Sequence, residues 1–231
     1  MRPPSFDTAQ LSLIRTPFDD PNFLFELNHD GFRTPAHIWD GNCELISRKR
    51  NAYKSFNALR ENLAKLKVQN AVIDGELVCL DSEGRSIFNE LLFRRGFPIF
   101  YAFDLLYLNG RDLRQLPLLE RKEKLRAVIE KSGLPDVVCG KYVEGRGVDL
   151  FNEVVRRNLE GAVAKRKTGT YATVSGWLKI KNPLYTQSEQ RHELFDSFKV
   201  KTNNAAKLPP IPKKPPVRAV PLHGHNCGKG T

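Results

Sequence analysis

Short apolar runs with strand character recur between Phe23 and Asn182, interrupted by three stretches of helical periodicity, and this order constrains the fold more than any other feature. The strand candidates are Phe23 to Asn28, Ala36 to Ile38, Cys43 to Ser47, Ala71 to Leu80, Ile99 to Tyr107, Val137 to Val143, Gly161 to Arg166 and Trp177 to Asn182. In "YKSFNALRENLAKLK" the residues Tyr53, Phe56, Leu59, Leu63 and Leu66 fall at helical spacing, and "LERKEKLRAVIEK" and "VDLFNEVVRRNL" also read as helices. Glycine and asparagine mark the joins "DGN", "DSEG" and "LNGRD". The pattern predicts an α+β fold rich in antiparallel sheet, with no internal repeat.

The chain has 231 residues, 40% of them hydrophobic, enough to bury one core of ordinary domain size. No apolar run reaches the roughly 18 residues of a membrane span, and "MRPPSFDTAQ" lacks the apolar centre of a secretory signal. A cytoplasmic protein with no membrane partner is expected. Cys43, Cys79, Cys139 and Cys227 lie far apart with no Cys-x-x-Cys pair, which favours isolated reduced thiols over disulfides or a zinc site.

The net charge of +11 is unevenly placed. From Lys199 onward there are seven basic residues and no acidic one, leaving 30 basic against 26 acidic residues in the first 198. The same segment contains "KLPPIPKKPPVRAVP", whose prolines remove backbone donors and favour extended geometry. Residues 199–231 are therefore expected to form a basic, proline-rich disordered tail after a domain at 17–198 and an N-terminal extension at 1–16. Such a tail can neutralise nucleic-acid phosphates; a solvated extension with no partner fits equally well. "HGHNC" at its end is read as incidental rather than as a metal site.

Side chains two apart on a strand share a face. In "VIDGELVCL" this puts Asp74 and Glu76 on one side and Ile73, Leu77 and Cys79 on the other, so the acids meet either solvent or a cleft. In "WLKIK" Trp177, Lys179 and Lys181 share a face, and the two lysines repel unless an anion lies between them. The alternating face Tyr101, Phe103, Leu105 and Tyr107 suits core packing as well as a ligand. Each strand alone reads as an ordinary solvated surface.

Their order is more specific. "ELNHDGFR", "SRK", "IDGELV", "FYAFDLLYLNG", "EGAVAK" and "WLKIK" resemble, in sequence and spacing, the motif set of the ATP-dependent DNA ligases, most nearly the compact bacterial ligase D type, from about Pro17 to Phe195. The resemblance implies an ATP-grasp-like nucleotidyltransferase (adenylation) domain of two antiparallel sheets with flanking helices. It implies ATP and Mg2+ as cofactors, nicked double-stranded DNA and other repair proteins as partners, and a bacterial, nucleoid-associated role in repair and recombination.

By that resemblance, Glu26 belongs to the nucleotide site, Arg33 contacts the ribose or nick phosphate, Glu76 hydrogen-bonds the ribose and Phe103 stacks on adenine. Glu160 helps bind the metal, Lys165, Lys179 and Lys181 neutralise phosphates, and Arg48 matches another arginine of the nucleotide pocket.

The nucleophile position departs from the family. Asn28 stands where the family's lysine attacks the α-phosphate. A carboxamide nitrogen is not nucleophilic, whereas a lysine amine becomes so once its pKa is lowered. His29 is adjacent, but strand alternation turns it away from Asn28. The sequence after "NPLYTQSEQRHELFD" is too short and proline-rich for an oligonucleotide-binding barrel, so no OB-fold domain is expected. "YATVSGW" is short for the family and lacks its arginine. Two expectations follow: a ligase homologue whose self-adenylation is lost, or a non-catalytic pseudoenzyme that binds nucleotide or nucleic acid. A capping enzyme or RNA ligase is more distant, since "AFDLLYLNG" favours the DNA ligase branch.

Overall fold

A computed structural model describes residues 1–171 and 176–187. The first elements in chain order are β1 (Leu11–Ile14), β2 (Asp20–Asn28), β3 (Phe32–Arg33), β4 (Ala36–Trp39), β5 (Asn42–Leu45), α1 (Asn57–Leu63), β6 (Asn70–Val78) and α2 (Phe88–Leu92). Then come β7 (Ile99–Leu108), β8 (Arg111–Asp112), α3 (Leu118–Glu130), β9 (Val137–Cys139), β10 (Tyr142–Gly145), α4 (Gly147–Arg156), β11 (Gly161–Arg166) and β12 (Trp177–Lys181).

The strands make two sheets. One runs β1-β12-β11-β2-β10; the other runs β5-β4-β6-β7-β8, with β3 on β6 and β9 on β7. Pairing is antiparallel except between β1 and β12 and between β7 and β9. The expected α+β fold of two sheets with flanking helices is what the chain adopts.

Three apolar clusters explain the layering. On one side of the second sheet, Ile38, Leu45, Ile73, Leu77, Phe100 and Leu105 pack with Leu59 and Leu63 of α1 and Leu125 and Ile129 of α3. Between the sheets lie Ala9, Val72, Leu106, Val163, Tyr171 and Trp177. Phe23, Phe25 and Ala164 of the first sheet pack with Leu150 of α4. Each buried Leu or Phe side chain contributes about 1.5–3 kcal/mol.

Four local features differ from the sequence reading. β1 was not among the strand candidates, yet it pairs with β12, Leu11 opposite Trp177. The run Val137 to Val143 is two strands, because the chain leaves β7 after Cys139 and joins β2 of the other sheet at Tyr142. Helix α2 follows the "DSEG" turn, in which Asp81 Oδ1 accepts from the backbone N–H groups of Glu83 and Arg85 at 2.9 Å. Finally, Leu105 does not share a face with Phe103 and Tyr107: irregularities at Val72/Ile73 and Asp74/Gly75 interrupt the alternation and turn Leu105 into the main core.

Candidate functional site

A cleft of about 430 Å³ opens between the facing sheets, lined by Glu26 and Asn28 of β2, His29, Arg33 of β3, Glu76 of β6, Tyr101 and Phe103 of β7, Lys165 of β11 and Trp177 of β12. A second hollow of about 240 Å³ is lined by Arg85, Ser86, Asn158, Glu160 and Tyr185. Leu27, Asn28 and His29 line both. The site thus gathers seven of the residues singled out from the sequence: Glu26, Asn28, Arg33, Glu76, Phe103, Lys165 and Glu160.

β2 ends at Asn28, opposite Gly161 of β11. The Asn28 Nδ2 is buried with no hydrogen-bond partner among the described residues, an arrangement that costs about 1–3 kcal/mol unless a ligand supplies an acceptor. Because the strand stops there, the alternation argument fails for His29, which lines the same cleft. Its ring meets Tyr101 edge-on at 4.4 Å, and its Nδ1 lies 3.2 Å from Ser86 Oγ. Burial lowers the His29 pKa to about 4, so the imidazole is neutral at pH 7.

The rest of "HDGFR" anchors the turn. Asp30 accepts a hydrogen bond from Tyr185 Oη at 3.3 Å, and its backbone N–H donates to Ser86 Oγ at 3.2 Å. At Gly31 a Cβ would lie 2.1 Å from the Leu77 carbonyl oxygen, so only glycine allows β3 to meet β6. Arg33 is heavily engaged: Nε and Nη2 donate to Asp74 at 3.3 and 2.7 Å, and Nη1 donates to the Ala9 carbonyl at 2.6 Å. Its guanidinium also faces the rings of Phe103 and Trp177 at 5.6 and 5.3 Å. Tyr171 completes the network, donating to Asp74 at 2.7 Å while its oxygen accepts from the Ala9 N–H.

Of the acids of β6, Glu76 faces the cleft, one of the two environments that the strand pattern allowed, whereas Asp74 is fully buried against Arg33 and Tyr171. Burial pushes the Glu76 carboxyl up to about 8; Arg33 opposes this, and the nearby Glu160 and Asp74 add to it.

Two buried ammonium groups converge on Glu26: Lys122 Nζ lies 2.7 Å from Oε1 and Lys165 Nζ 3.0 Å from Oε2. Burial alone would raise the Glu26 carboxyl, but Lys122 and Lys165 outweigh it and hold the pKa below the ordinary value. Burial brings Lys165 down to about 8 against the attraction of Glu26, and the like charge of Lys122 adds to the lowering. The Lys165 ammonium sits over the aromatic wall, 3.9 Å from the Trp177 centroid and 4.5 Å from that of Phe103.

Lys179 meets Glu160 at 2.8 Å, which supplies the anion that the lysine-bearing face of β12 requires. Lys181 is exposed at the end of β12, and Arg48 is exposed in the turn after β5; neither lines the cleft. Among the described residues no group of three or more His, Cys, Asp or Glu is placed to hold a metal ion. Magnesium, however, is commonly held by one or two carboxylates together with substrate phosphates. Glu160 on the wall of the second hollow fits that shared arrangement.

Among the side chains at the cleft that sequence reasoning left out of the site, Lys122 and Trp177 are the two that contact Glu26 and Lys165. Both left a signal. Lys122 lies four residues after Leu118 and three before Leu125, on the apolar stripe of α3, where a solvated lysine has no place. Trp177 lies two residues before Lys179 on the same strand face.

The family model described as "ATP dependent DNA ligase domain" matches residues 7–181. A multifunctional non-homologous end joining protein LigD of Pseudomonas aeruginosa is 34% identical over 167 residues, covering 69% of this chain and 20% of that protein. An SPbeta prophage-derived DNA ligase-like protein LigB of Bacillus subtilis is 30% identical, covering 77% and 67%. The chain thus spans between a fifth and two thirds of the length of these two relatives. Among solved structures, a mycobacterial DNA ligase D complexed with ATP and MES superposes with a TM-score of 0.64 at 28% identity, covering 76% of this chain and 60% of that one. The ligase domain of M. tuberculosis LigD gives 0.65 at 26% identity, covering 75% and 59%. With its cleft between two sheets and a family match across most of its length, the chain belongs to the ATP-dependent DNA ligase family, in its adenylation domain.

Proposed function

We propose that this chain is a ligase homologue that binds ATP in the cleft and engages nicked double-stranded DNA in repair and recombination, but has lost self-adenylation. The observation that carries this reading is Asn28. Its amide sits at the junction of the two hollows, at the position where the motif resemblance implies a lysine, and a carboxamide cannot attack phosphorus. Phe103 would stack on the base, Glu26 and Glu76 would bind the nucleoside, Lys165 and Lys179 would face the phosphates and Arg33 the ribose, while Lys181 and Arg48, exposed outside the cleft, would meet the phosphates of the nicked DNA rather than those of ATP. Glu160 would hold Mg2+ with phosphate oxygens, and the ion, when bound, would neutralise triphosphate charge. Only steps that need no lysine nucleophile would remain to the chain. If none does, it is a pseudoenzyme that binds nucleotide or nucleic acid.

The seven basic residues from Lys199 onward would strengthen DNA binding through counterion release. Deleting residues 199–231 should then flatten the salt dependence of DNA binding.

Incubation with α-labelled ATP and magnesium, followed by denaturing electrophoresis, should give no covalent AMP band. Calorimetry should detect ATP with a micromolar to millimolar Kd, or about −4 to −8 kcal/mol, weakened by Lys179→Ala. A covalent band would overturn the loss of self-adenylation. Equal, negligible binding by parent and variant would overturn the nucleotide reading.

A further inference from the structure

We propose that Lys122 is a positioning residue of the cleft: from α3 its single ammonium ties Glu26 of one sheet to the Phe103 backbone of the other, fixing the carboxylate and leaving Lys165 as the surplus charge facing a bound anion. That the anion is a nucleotide phosphate rests on the reading given above.

Lys122 Nζ lies 2.7 Å from Glu26 Oε1 and donates to the Phe103 carbonyl at 2.9 Å. Glu26 belongs to β2 and Phe103 to β7, so one side chain joins the two walls behind the cleft. Lys122 and Glu26 are almost completely buried, and so is Lys165. One carboxylate between two ammonium groups leaves the cluster with one uncompensated positive charge, which is costly in a low-dielectric interior until an anion arrives. Lys122 lies behind the cleft rather than in its lining, whereas Lys165 lines it. The surplus is therefore presented by Lys165, between Phe103 and Trp177. The other titratable or charged groups facing this cluster are Asp104 and Tyr101 of β7, Cys139 of β9, Tyr142 of β10, Arg126 of α3, Arg33 of β3 and Glu76 of β6.

The test uses the full chain in a Trp39→Phe background, repeated with Glu76→Gln to remove the other cleft group held at about 8, so that the Trp177 fluorescence that remains reports the charge on Lys165. In the parent the fluorescence should titrate near about 8. Lys122→Met removes a like charge and gives Glu26 wholly to Lys165, so the midpoint should rise by about one unit; Lys122→Arg should keep the parent midpoint. ATP affinity should fall about tenfold in Lys122→Met and return in Lys122→Arg. A folded Lys122→Met protein with the parent midpoint would overturn the proposal. If that variant does not fold, Glu26→Gln decides: coupling requires its midpoint to fall, and an unchanged midpoint overturns the idea. The fluorescence measurement contains no nucleotide, so failure of the parent to bind ATP would remove the nucleotide reading and leave the Lys122 result standing.

Discussion

Arg121 donates two hydrogen bonds to Asp104, at 2.8 and 2.9 Å, and neither side chain reaches solvent. The pair fastens α3 to β7, the strand that carries Tyr101 and Phe103 into the cleft. Arg121 also donates to the Leu116 carbonyl and, at 3.1 Å, to that of Gly169. Removing one partner strands a buried charge, so Arg121→Met should cost about 3–5 kcal/mol in urea unfolding. The double variant Arg121→Met, Asp104→Leu should recover part of that loss. A single-variant cost below about 1 kcal/mol would show that the pair is dispensable.

Acid should destabilise the protein through two histidines. Burial lowers His29 to about 4, and burial with a smaller effect of Arg2 lowers His37 to about 4, both from 6.5. The folded state therefore resists protonation that the unfolded state accepts. The histidines' contribution is intact above pH 6.5 and declines as pH falls from 6.5 toward 4, by about 1–3 kcal/mol per histidine, while Glu76, held up to about 8, favours the folded state as pH falls and offsets part of that loss. Thermal melts across that window should show the loss in the parent and a shallower one in a His29→Phe, His37→Val variant. Parallel curves would mean that other groups govern the acid limb.

Strand positions and the main acids and lysines were legible because alternation is local: Asp74 with Glu76, and Lys179 following Trp177, share the faces that the period of two assigns. The alternation misleads where a strand ends or bulges, as at His29 and Leu105, because pairing register belongs to the sheet and not to the segment. β1 was illegible for a related reason. Leu11 acquires meaning only by lying opposite Trp177, far away in the chain. The lysine pair on Glu26 also depends on long-range approach, since Lys165 and Glu26 are 139 positions apart. Residues 172–175 and 199–231 lie outside the described residues, and with them the short loop and the tail read from the sequence.

Gly161 should be intolerant of any side chain. A Cβ there would lie 2.2 Å from the Ile180 carbonyl oxygen, a backbone atom of the neighbouring strand that cannot swing aside. Gly161 also stands opposite Asn28 on one side and Lys181 on the other, next to Glu160. Gly161→Ala should therefore push β12 from β11 and cost about 1–3 kcal/mol. It should also weaken ATP binding by displacing Lys179 from Glu160. Unaltered melting and affinity would show that the strands separate without strain.

Asn28→Lys should restore covalent labelling. The new amine would project from the strand face of Glu26 and replace the Asn28 Nδ2, which is buried without a hydrogen-bond partner among the described residues. The neighbouring ammonium groups Lys165 and Lys179 would lower its pKa and raise the fraction of free amine. Attack on the α-phosphorus of ATP would form a P–N bond and break the α–β P–O bond, with pyrophosphate leaving and the amine proton passing to solvent. Labelling should be slow, because in-line attack requires the leaving group to be aligned, and it should rise with pH as the amine deprotonates. The assay is α-labelled ATP with parent and variant side by side over pH and magnesium. If the lysine variant melts like the parent and binds ATP yet never labels, the cleft has diverged beyond repair at one position, and the pseudoenzyme reading replaces that of a ligase missing its nucleophile.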